Sequence, residues 1–230
     1  MAKAPAAAPT SSLGLFNKSK ELVLANLNTF AILLFLPFVF QMLSNINSRE
    51  NTTMTQQEFD SFVSDVSPAL VGVIFLFVFI FIIVNLIVTI MLYKATLDTA
   101  KGKTPQIPAL WEYVKEHGVR LVLLSIVTGL IVVFGLIAFI IPGIIFIGRY
   151  YLAPYVMIDK NLSIMESLKE SSRLSKPYFG KVWGILLVTI LFGMFAIIPE
   201  IGWLIAFVLT ALYSVAPALR YQELKKLNGK

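Results

Sequence analysis

The fold is decided by residues 69–93, which read ALVGVIFLFVFIFIIVNLIVTIMLY and carry no charged side chain. As an α-helix these residues would rise about 37 Å, which exceeds the thickness of about 30 Å of the hydrocarbon core of a bilayer. Lipid offers no partner to an unpaired backbone N–H or C=O group, so an apolar stretch of this length crosses it as a helix. Residues 69–93 therefore predict a transmembrane span.

Five further apolar stretches extend this prediction along the chain. They are residues 22–43, 121–141, 144–158, 182–198 and 201–219. The 230-residue chain is 57% hydrophobic and 14% charged, with a mean hydropathy of +0.81, which is typical of a chain whose solvent is the bilayer. We therefore expect an all-α, polytopic integral membrane protein with six transmembrane helices arranged as three hairpins.

Residues 144–158 form the shortest of the six stretches, and a re-entrant segment is the alternative there. Such a helix rises only about 22 Å, and Arg149 lies within it. Lys and Arg concentrate in cytoplasmic loops. Six spans place on the cytoplasmic side the basic residues that follow this stretch, namely Lys160, Lys169, Arg173, Lys176 and Lys181. Charge placement therefore favours six spans in the cell membrane, with both termini cytoplasmic.

Composition also divides the chain outside the spans. Residues 1–12 predict a disordered cytoplasmic tail, 13–220 a six-span membrane domain, and 221–230 a basic cytoplasmic tail. Residues 44–68 form the one sizeable predicted outer loop, which is rich in acidic and amide side chains. The membrane domain therefore accounts for most of the chain.

Three amphipathic segments predict short helices at the membrane interface, one before each hairpin. They are residues 13–26, 108–119 and 163–176. In the last segment, Ser163 and Glu166 have the spacing of a capping box, which marks the start of a helix. Each hairpin is thus expected to follow an interfacial helix of its own.

Two dipeptides that contain proline predict tight outer turns in the second and third hairpins. They are Pro142-Gly143 and Pro199-Glu200. The two hairpins also share a short pattern, in which Tyr150, Ala153 and Pro154 recur as Tyr213, Ala216 and Pro217. Both copies run in the same direction, which indicates a parallel repeat; chance and shared membrane constraints are the alternative explanation.

The residue types needed for catalysis are missing or scattered. The chain has no cysteine and one histidine, His117, so neither a thiolate site nor a histidine cluster for a metal is available. Its glycines are spread through apolar segments, without a phosphate-binding loop or a dinucleotide-binding pattern. We expect no enzyme activity, no metal and no cofactor. The formal charge of +6 suits an anionic lipid surface, and we expect no nucleic-acid partner.

Arg149 is the one charge well inside a predicted span, and an ionisable residue in lipid is a functional candidate because its burial is costly. Measured from the predicted turn at Pro142-Gly143, it lies about 8 Å deep. One interpretation is an anion contact to lipid phosphate or a substrate, beside Tyr150 and Tyr151. The other is snorkelling to the headgroups or pairing with Glu200. Further candidates for contact with lipid or anions are Lys169, Arg173 and Lys176.

Residues 141–184 carry a longer pattern. A helix ends in Pro142-Gly143, and the following positions of the pattern hold Arg149, Asp159, Leu168, Lys169 and Ser171. This pattern resembles the bacterial membrane proteins around the glycerophosphoryl diester phosphodiesterase membrane domain and the related YciC-like family. Ser167 and Pro177 depart from it, where Ala and Gly are usual. The resemblance implies a six-span membrane module. Because the chain ends at Lys230, soon after its last predicted span, we expect that module without the hydrolase.

These observations together predict a non-enzymatic membrane protein, a lipid-interacting or scaffold module in envelope maintenance. Its expected partners are membrane lipids, through anionic headgroups at the cytoplasmic face, and a second copy of itself or another membrane protein. A small transporter or channel subunit for an anionic or amphiphilic solute is the alternative. A polar cavity that reaches Arg149 would favour transport, whereas a dry bundle with lipid along its basic face would favour the first prediction.

Overall fold

The computed structural model describes residues 9–47, 55, 61 and 67–228, and within 44–47 the backbone alone. Most of the predicted outer loop 44–68 and the first part of the predicted tail 1–12 lie outside the described residues. The described residues are helix, turn or coil and form no strand, which confirms the all-α prediction.

Most of the described helices follow one another with short connections. In the described ranges they are α1 (Gly14–Ala25), α2 (Leu27–Asn47), α3 (Pro68–Ala100), α4 (Ile107–Ala138), α5 (Ile140–Tyr150), α6 (Ala153–Lys160), α7 (Ile164–Ser175), α8 (Phe179–Met194), α9 (Gly202–Leu212) and α10 (Ala216–Asn228). Two 3₁₀ turns, Lys176–Tyr178 and Phe195–Ile197, lie on either side of α8.

Several of these stretches are long and apolar enough to cross a membrane. Among the described residues they are Pro68–Ala100, Ile107–Ala138, Ile140–Lys160, Ile164–Ile197 and Gly202–Asn228. The pair Gly14–Ala25 and Leu27–Leu43 is bent by 100° and supplies a sixth if it counts as one span. A multi-pass membrane protein with five or six spans follows, and the number six stays a prediction.

The first outer turn lies earlier than the sequence predicted. α4 ends at Ala138, Phe139 is extended with φ −160° and ψ 135°, and α5 already begins at Ile140. Pro142 therefore lies in the first turn of α5, where its missing N–H is harmless because the first N–H groups of a helix have no intrahelical partner. Gly143 lets α5 approach α4, since a Cβ at this position would lie 2.5 Å from Leu136 Cγ.

The second outer turn lies where the sequence predicted it. The 3₁₀ turn after α8 ends at Ile197, and α9 begins at Gly202. Glu200 between them has a φ of +68°, a left-handed conformation that reverses the chain but is unfavourable for most side chains. Pro199 and Glu200 thus form the tight connection of this hairpin.

Only two of the three predicted interfacial segments are distinct helices. Residues 13–26 correspond to α1, and residues 163–176 correspond to α7, whose capping box between Ser163 and Glu166 is confirmed. Residues 108–119 are instead the first turns of α4, which continues without a break to Ala138. No proline follows Pro108 in this helix to interrupt its hydrogen bonds, so the amphipathic start and the apolar remainder form one element.

Side-chain burial divides the bundle into two ends. At the first, which we call the polar end, α1, α6, α7 and α10 pack with the last turns of α3, and Leu97, Leu152 and Leu174 have no exposed surface. At the other, which we call the apolar end, Phe77 and Ile197 are 72% and 77% exposed. Because lipid tails are as apolar as these side chains, the surface of the apolar end suits a bilayer.

Candidate functional site

The strongest local feature of the polar end is a pair of helix breaks. α5 ends at Tyr150 and α6 begins at Ala153, while α9 ends at Leu212 and α10 begins at Ala216. A proline is the second residue after each break, Pro154 in α6 and Pro217 in α10. Proline cannot donate to the carbonyl four residues earlier and clashes with it, so each helix is interrupted there.

A buried serine satisfies the backbone at each break. Ser171 Oγ of α7 donates to the carbonyl oxygen of Arg149 at 2.7 Å, and Ser19 Oγ of α1 donates to that of Leu212, also at 2.7 Å. The Val215 N–H donates in turn to Ser19 Oγ at 3.2 Å. Arg149 and Leu212 each directly precede the tyrosine of the repeated pattern, so the two contacts are equivalent within the predicted repeat.

The two helices that supply these serines bury matching faces. Each places a buried residue at every fourth position, which in a helix forms one face. These positions hold Leu15, Ser19 and Val23 in α1 and Ser167, Ser171 and Ser175 in α7. α1 and α7 therefore act as equivalent braces, α1 at the break between α9 and α10 and α7 at the break between α5 and α6.

Arg149 lies at the last turn of α5, partly exposed. Its guanidinium forms no hydrogen bond or ion pair with any described residue, Glu200 included. The turn at Phe139 lies ten residues before it, so Arg149 is about 15 Å along the helix from that turn, and not the predicted 8 Å. Its backbone carbonyl contacts α7, which brings it to the level of the polar end.

The predicted basic residues of α7 differ in their engagement. Arg173 donates to Glu170 through Nε at 2.7 Å and through Nη2 at 2.8 Å, and Lys160 Nζ lies 2.5 Å from the same carboxylate. Lys169 and Lys176 are exposed and form no ion pair with the described residues. Two of the three predicted cations are therefore available to an external anion.

Lys169 borders a pocket of about 350 Å³, which we call the lysine pocket. Its walls are Ile131, Tyr150, Met165, Leu168, Lys169 and Ser172. One ammonium and two hydroxyl groups thus lie beside three apolar side chains. A site with this mixture suits a ligand that is anionic on one side and apolar on the other.

Tyr150 also lines a second pocket of about 300 Å³, which we call the tyrosine pocket. Its walls are Tyr93, Leu124, Ser125, Thr128, Gly129, Val132, Ile147, Tyr150, Tyr151 and Pro154. The pocket lies between α3, α4, α5 and α6, next to the first helix break. Its lining contains five hydroxyl groups and no charged side chain, so Arg149 does not line it.

A family model described as an uncharacterised protein family (UPF0259) matches residues 16–220. The chain belongs to this family. The match runs from α1 into α10 and therefore includes both breaks, both bracing serines and both pockets. No curated protein and no solved structure matches the chain. Kinship with the phosphodiesterase membrane domain or the YciC-like group is not among these findings and stays a prediction from residues 141–184.

The structure also assembles a cluster around Asp159 that sequence reasoning did not find. Its carboxylate is 4% exposed and pairs with Lys101 and with Lys225 Nζ at 2.6 Å, and Tyr221 donates to it at 2.6 Å. The cluster ties the end of α3 and the middle of α10 to α6. Its partners lie 58 and 66 positions away, so no local spacing signals it.

The last residue of the UPF0259 match, Arg220, was also missed. The sequence prediction placed it at the edge of a basic tail, but α10 continues to Asn228 and the Arg220 side chain has no exposed surface. Arg220 contacts Glu223 at 2.5 Å and the Thr10 carbonyl oxygen at 2.7 Å, and the Thr10 N–H donates to Glu223 at 2.7 Å. The i,i+3 spacing of Arg220 and Glu223 was the available signal.

The described residues contain no group of three or more His, Cys, Asp or Glu side chains that could hold a metal ion. The two buried ionic clusters have other roles. Lys101, Lys225 and Tyr221 surround the carboxylate of Asp159, and Arg220 and Thr10 surround that of Glu223, so each cluster connects segments that are distant in sequence. We assign them to the stability of the polar end.

Proposed function

We propose that this protein is a non-enzymatic membrane module that binds anionic lipid headgroups at its polar end. The observation that carries the proposal is the lysine pocket, where the unpaired Lys169 lies beside Ser172, Tyr150 and apolar side chains. An ammonium and a hydroxyl group suit a phosphate, and the apolar wall suits the start of an acyl chain. Lys176, exposed and unpaired, adds a second cation to the same end of the molecule.

The finer description of the protein belongs to the same proposal. We place the polar end at the cytoplasmic face of the cell membrane, with six spans and both termini cytoplasmic, because this puts Lys169 and Lys176 beside anionic headgroups. The proposal also includes kinship with the phosphodiesterase membrane domain and YciC-like groups and a role in envelope maintenance. It further includes a partnership with a second copy or another membrane protein. Arg149, partly exposed at the level of α7, is expected to approach the same headgroups.

The test measures the binding of phosphatidylglycerol to the purified full chain by native mass spectrometry. Lys169→Gln should weaken binding about tenfold, the expected loss for one hydrogen bond to a charged group. Lys103→Gln is the matched control, because Lys103 is also exposed and at the polar end but lies in the connection between α3 and α4. Equal binding by the two variants and the unaltered protein would refute the proposal.

The two helix breaks favour one alternative, a small transporter for an anionic or amphiphilic solute. Transporters place broken helices at substrate sites, where free carbonyl groups face the substrate. Here Ser171 and Ser19 already occupy the carbonyls of Arg149 and Leu212, so transport is the second choice. If proteoliposomes take up a labelled anionic amphiphile and Tyr151→Ala abolishes this uptake, transport becomes the preferred function.

A further inference from the structure

We propose that the tyrosine pocket holds the ester region and part of one acyl chain of a glycerophospholipid, whose phosphate binds at Lys169 in the lysine pocket. This inference rests on the proposed function and names its ligand. The two pockets share Tyr150 as a wall, so one molecule can contact both.

The first support is a set of hydroxyl groups without partners. Tyr93, Thr128, Tyr150 and Tyr151 all line the tyrosine pocket, and the side-chain hydroxyl of none of them bonds to a described residue. Ser125 differs, since it donates to the Leu121 carbonyl oxygen at 3.0 Å. Four of the five hydroxyl groups of the lining can therefore donate to an acceptor on a bound molecule.

The chemistry of the lining selects the part of a ligand that fits. The lining has no charged side chain, so an ionised group inside the pocket would be left without a partner. Ester carbonyl oxygens are uncharged acceptors and match the tyrosine and threonine hydroxyls. Val132 and Ile147 provide apolar wall for a hydrocarbon chain. A diacyl phospholipid supplies esters, chain and phosphate in one molecule.

The second helix break shows that an open pocket is not an automatic result of the interruption. There Tyr213, the counterpart of Tyr150, is 2% exposed and donates to the Ser12 carbonyl oxygen at 2.8 Å. Its ring packs against Phe16 and Phe192, with centroids 6.3 Å and 5.6 Å away. The protein fills that break itself, whereas the equivalent tyrosine at the first break faces a pocket.

Gly129 offers a way to fill the pocket without disturbing the charges of the polar end. A Cβ at Gly129 would meet nothing within 4 Å, so a larger side chain extends into open space. Gly193, an exposed helical glycine of α8, has the same surroundings and lines neither pocket. Gly129→Leu and Gly193→Leu are therefore a matched pair.

The experiment compares phosphatidylglycerol with two long chains and the same headgroup with two six-carbon chains, by native mass spectrometry of the full chain. Gly129→Leu should weaken binding of the long-chain lipid about tenfold, the equivalent of about two methylene groups withdrawn from an apolar site. It should weaken binding of the six-carbon lipid less, because less of that lipid's chain occupies the pocket, and Gly193→Leu should bind both lipids as the unaltered protein does. Thr128→Val, which keeps volume and removes a hydroxyl, provides a second variant if Gly129→Leu fails to fold.

The outcomes separate this inference from the proposed function. If Lys169→Gln weakens binding and neither Gly129→Leu nor Thr128→Val does, the headgroup function stands and the tyrosine pocket is not part of the lipid site. If Gly129→Leu weakens binding of the long-chain lipid and Lys169→Gln has no effect, the proposed headgroup function and the placement of the phosphate fail, while the chain-binding role of the pocket stands.

Discussion

The two helix breaks share their local architecture but differ in what lies next to them. In both, a proline is the second residue of the next helix, and a buried serine donates to the carbonyl of the residue before the tyrosine, Ser171 at one break and Ser19 at the other. At the break between α9 and α10, residues 10–12 and α1 fill the space around Tyr213. At the break between α5 and α6, the tyrosine pocket of about 300 Å³ remains.

This difference shows that a helix break and an open pocket beside it are separate features. Each break has a proline at the same position, and one serine donates to a backbone carbonyl there. The site depends on whether the chain places its own residues beside the tyrosine. At the closed break, the N-terminal segment does so, fixed by Thr10 to Arg220 and Glu223. At the open break, we expect a lipid to take that place.

We expect the largest effect from a substitution that disrupts the contacts of the N-terminal segment at the closed break. Glu223→Ala leaves Arg220, a side chain with no exposed surface, without its carboxylate and removes the acceptor of Thr10. Loss of one partner of a buried ion pair costs about 3–5 kcal/mol, so the unfolding temperature in detergent should fall clearly. The N-terminal segment should also become accessible to protease. Glu21→Ala, at an exposed position of α1, is the control; an equal unfolding temperature for the two variants would contradict this account.

Substitutions of the two bracing serines should have intermediate effects, and they test whether α1 and α7 stabilise their breaks in the same way. Ser19→Ala removes two hydrogen bonds, to the Leu212 carbonyl and from the Val215 N–H, and should cost about 1–2 kcal/mol. Ser171→Ala removes one and should cost about 1 kcal/mol. Thermal unfolding in detergent measures both, with the exposed Thr210→Ala as reference. A cost at only one serine would mean that the two breaks are not equivalent.

Removal of one tyrosine hydroxyl at each break should have the smallest effect on stability, and it compares the closed break with the open one. Tyr213→Phe removes the hydrogen bond to Ser12 and should lower stability by about 1 kcal/mol. Tyr150→Phe, at the equivalent position of the open break, removes a hydroxyl that bonds to no described residue, so stability should change by no more than about 0.5 kcal/mol, while lipid binding weakens. Unfolding temperature and native mass spectrometry report the two quantities. Destabilisation of equal size in both variants would remove the distinction between the breaks.

Hydropathy and helix signals in the sequence were enough to predict the class of fold and many of its boundaries. Apolar length predicted the membrane helices, and the spacing of Ser163 and Glu166 predicted the start of α7. The prediction failed at Pro142-Gly143, because proline is tolerated in the first turn of a helix as well as after its end. It also failed at residues 108–119, because amphipathic character does not show where a helix stops.

The candidate site was predicted in part. Lys169 and Tyr150 were named from charge and position, and the structure brings them together in one pocket. Arg173 was named for the same reason, but Glu170 already engages it. The pairing of this arginine with a carboxylate one turn away was readable from the sequence. Whether Lys169 stays unpaired depends on which charged side chains α6 places near it, and only the tertiary structure shows that placement.

The sequence by itself determined the helices and their solvent, since apolar length and capping act over a few residues, but the predicted spans 144–158 and 201–219 ran across both breaks. Only the tertiary structure decided which break is closed. The contacts that decide it join residues far apart in the chain: Ser19 reaches Leu212, and Thr10 reaches Glu223 across 213 positions. Such contacts depend on how the helices pack against one another, and local sequence carries no record of that packing.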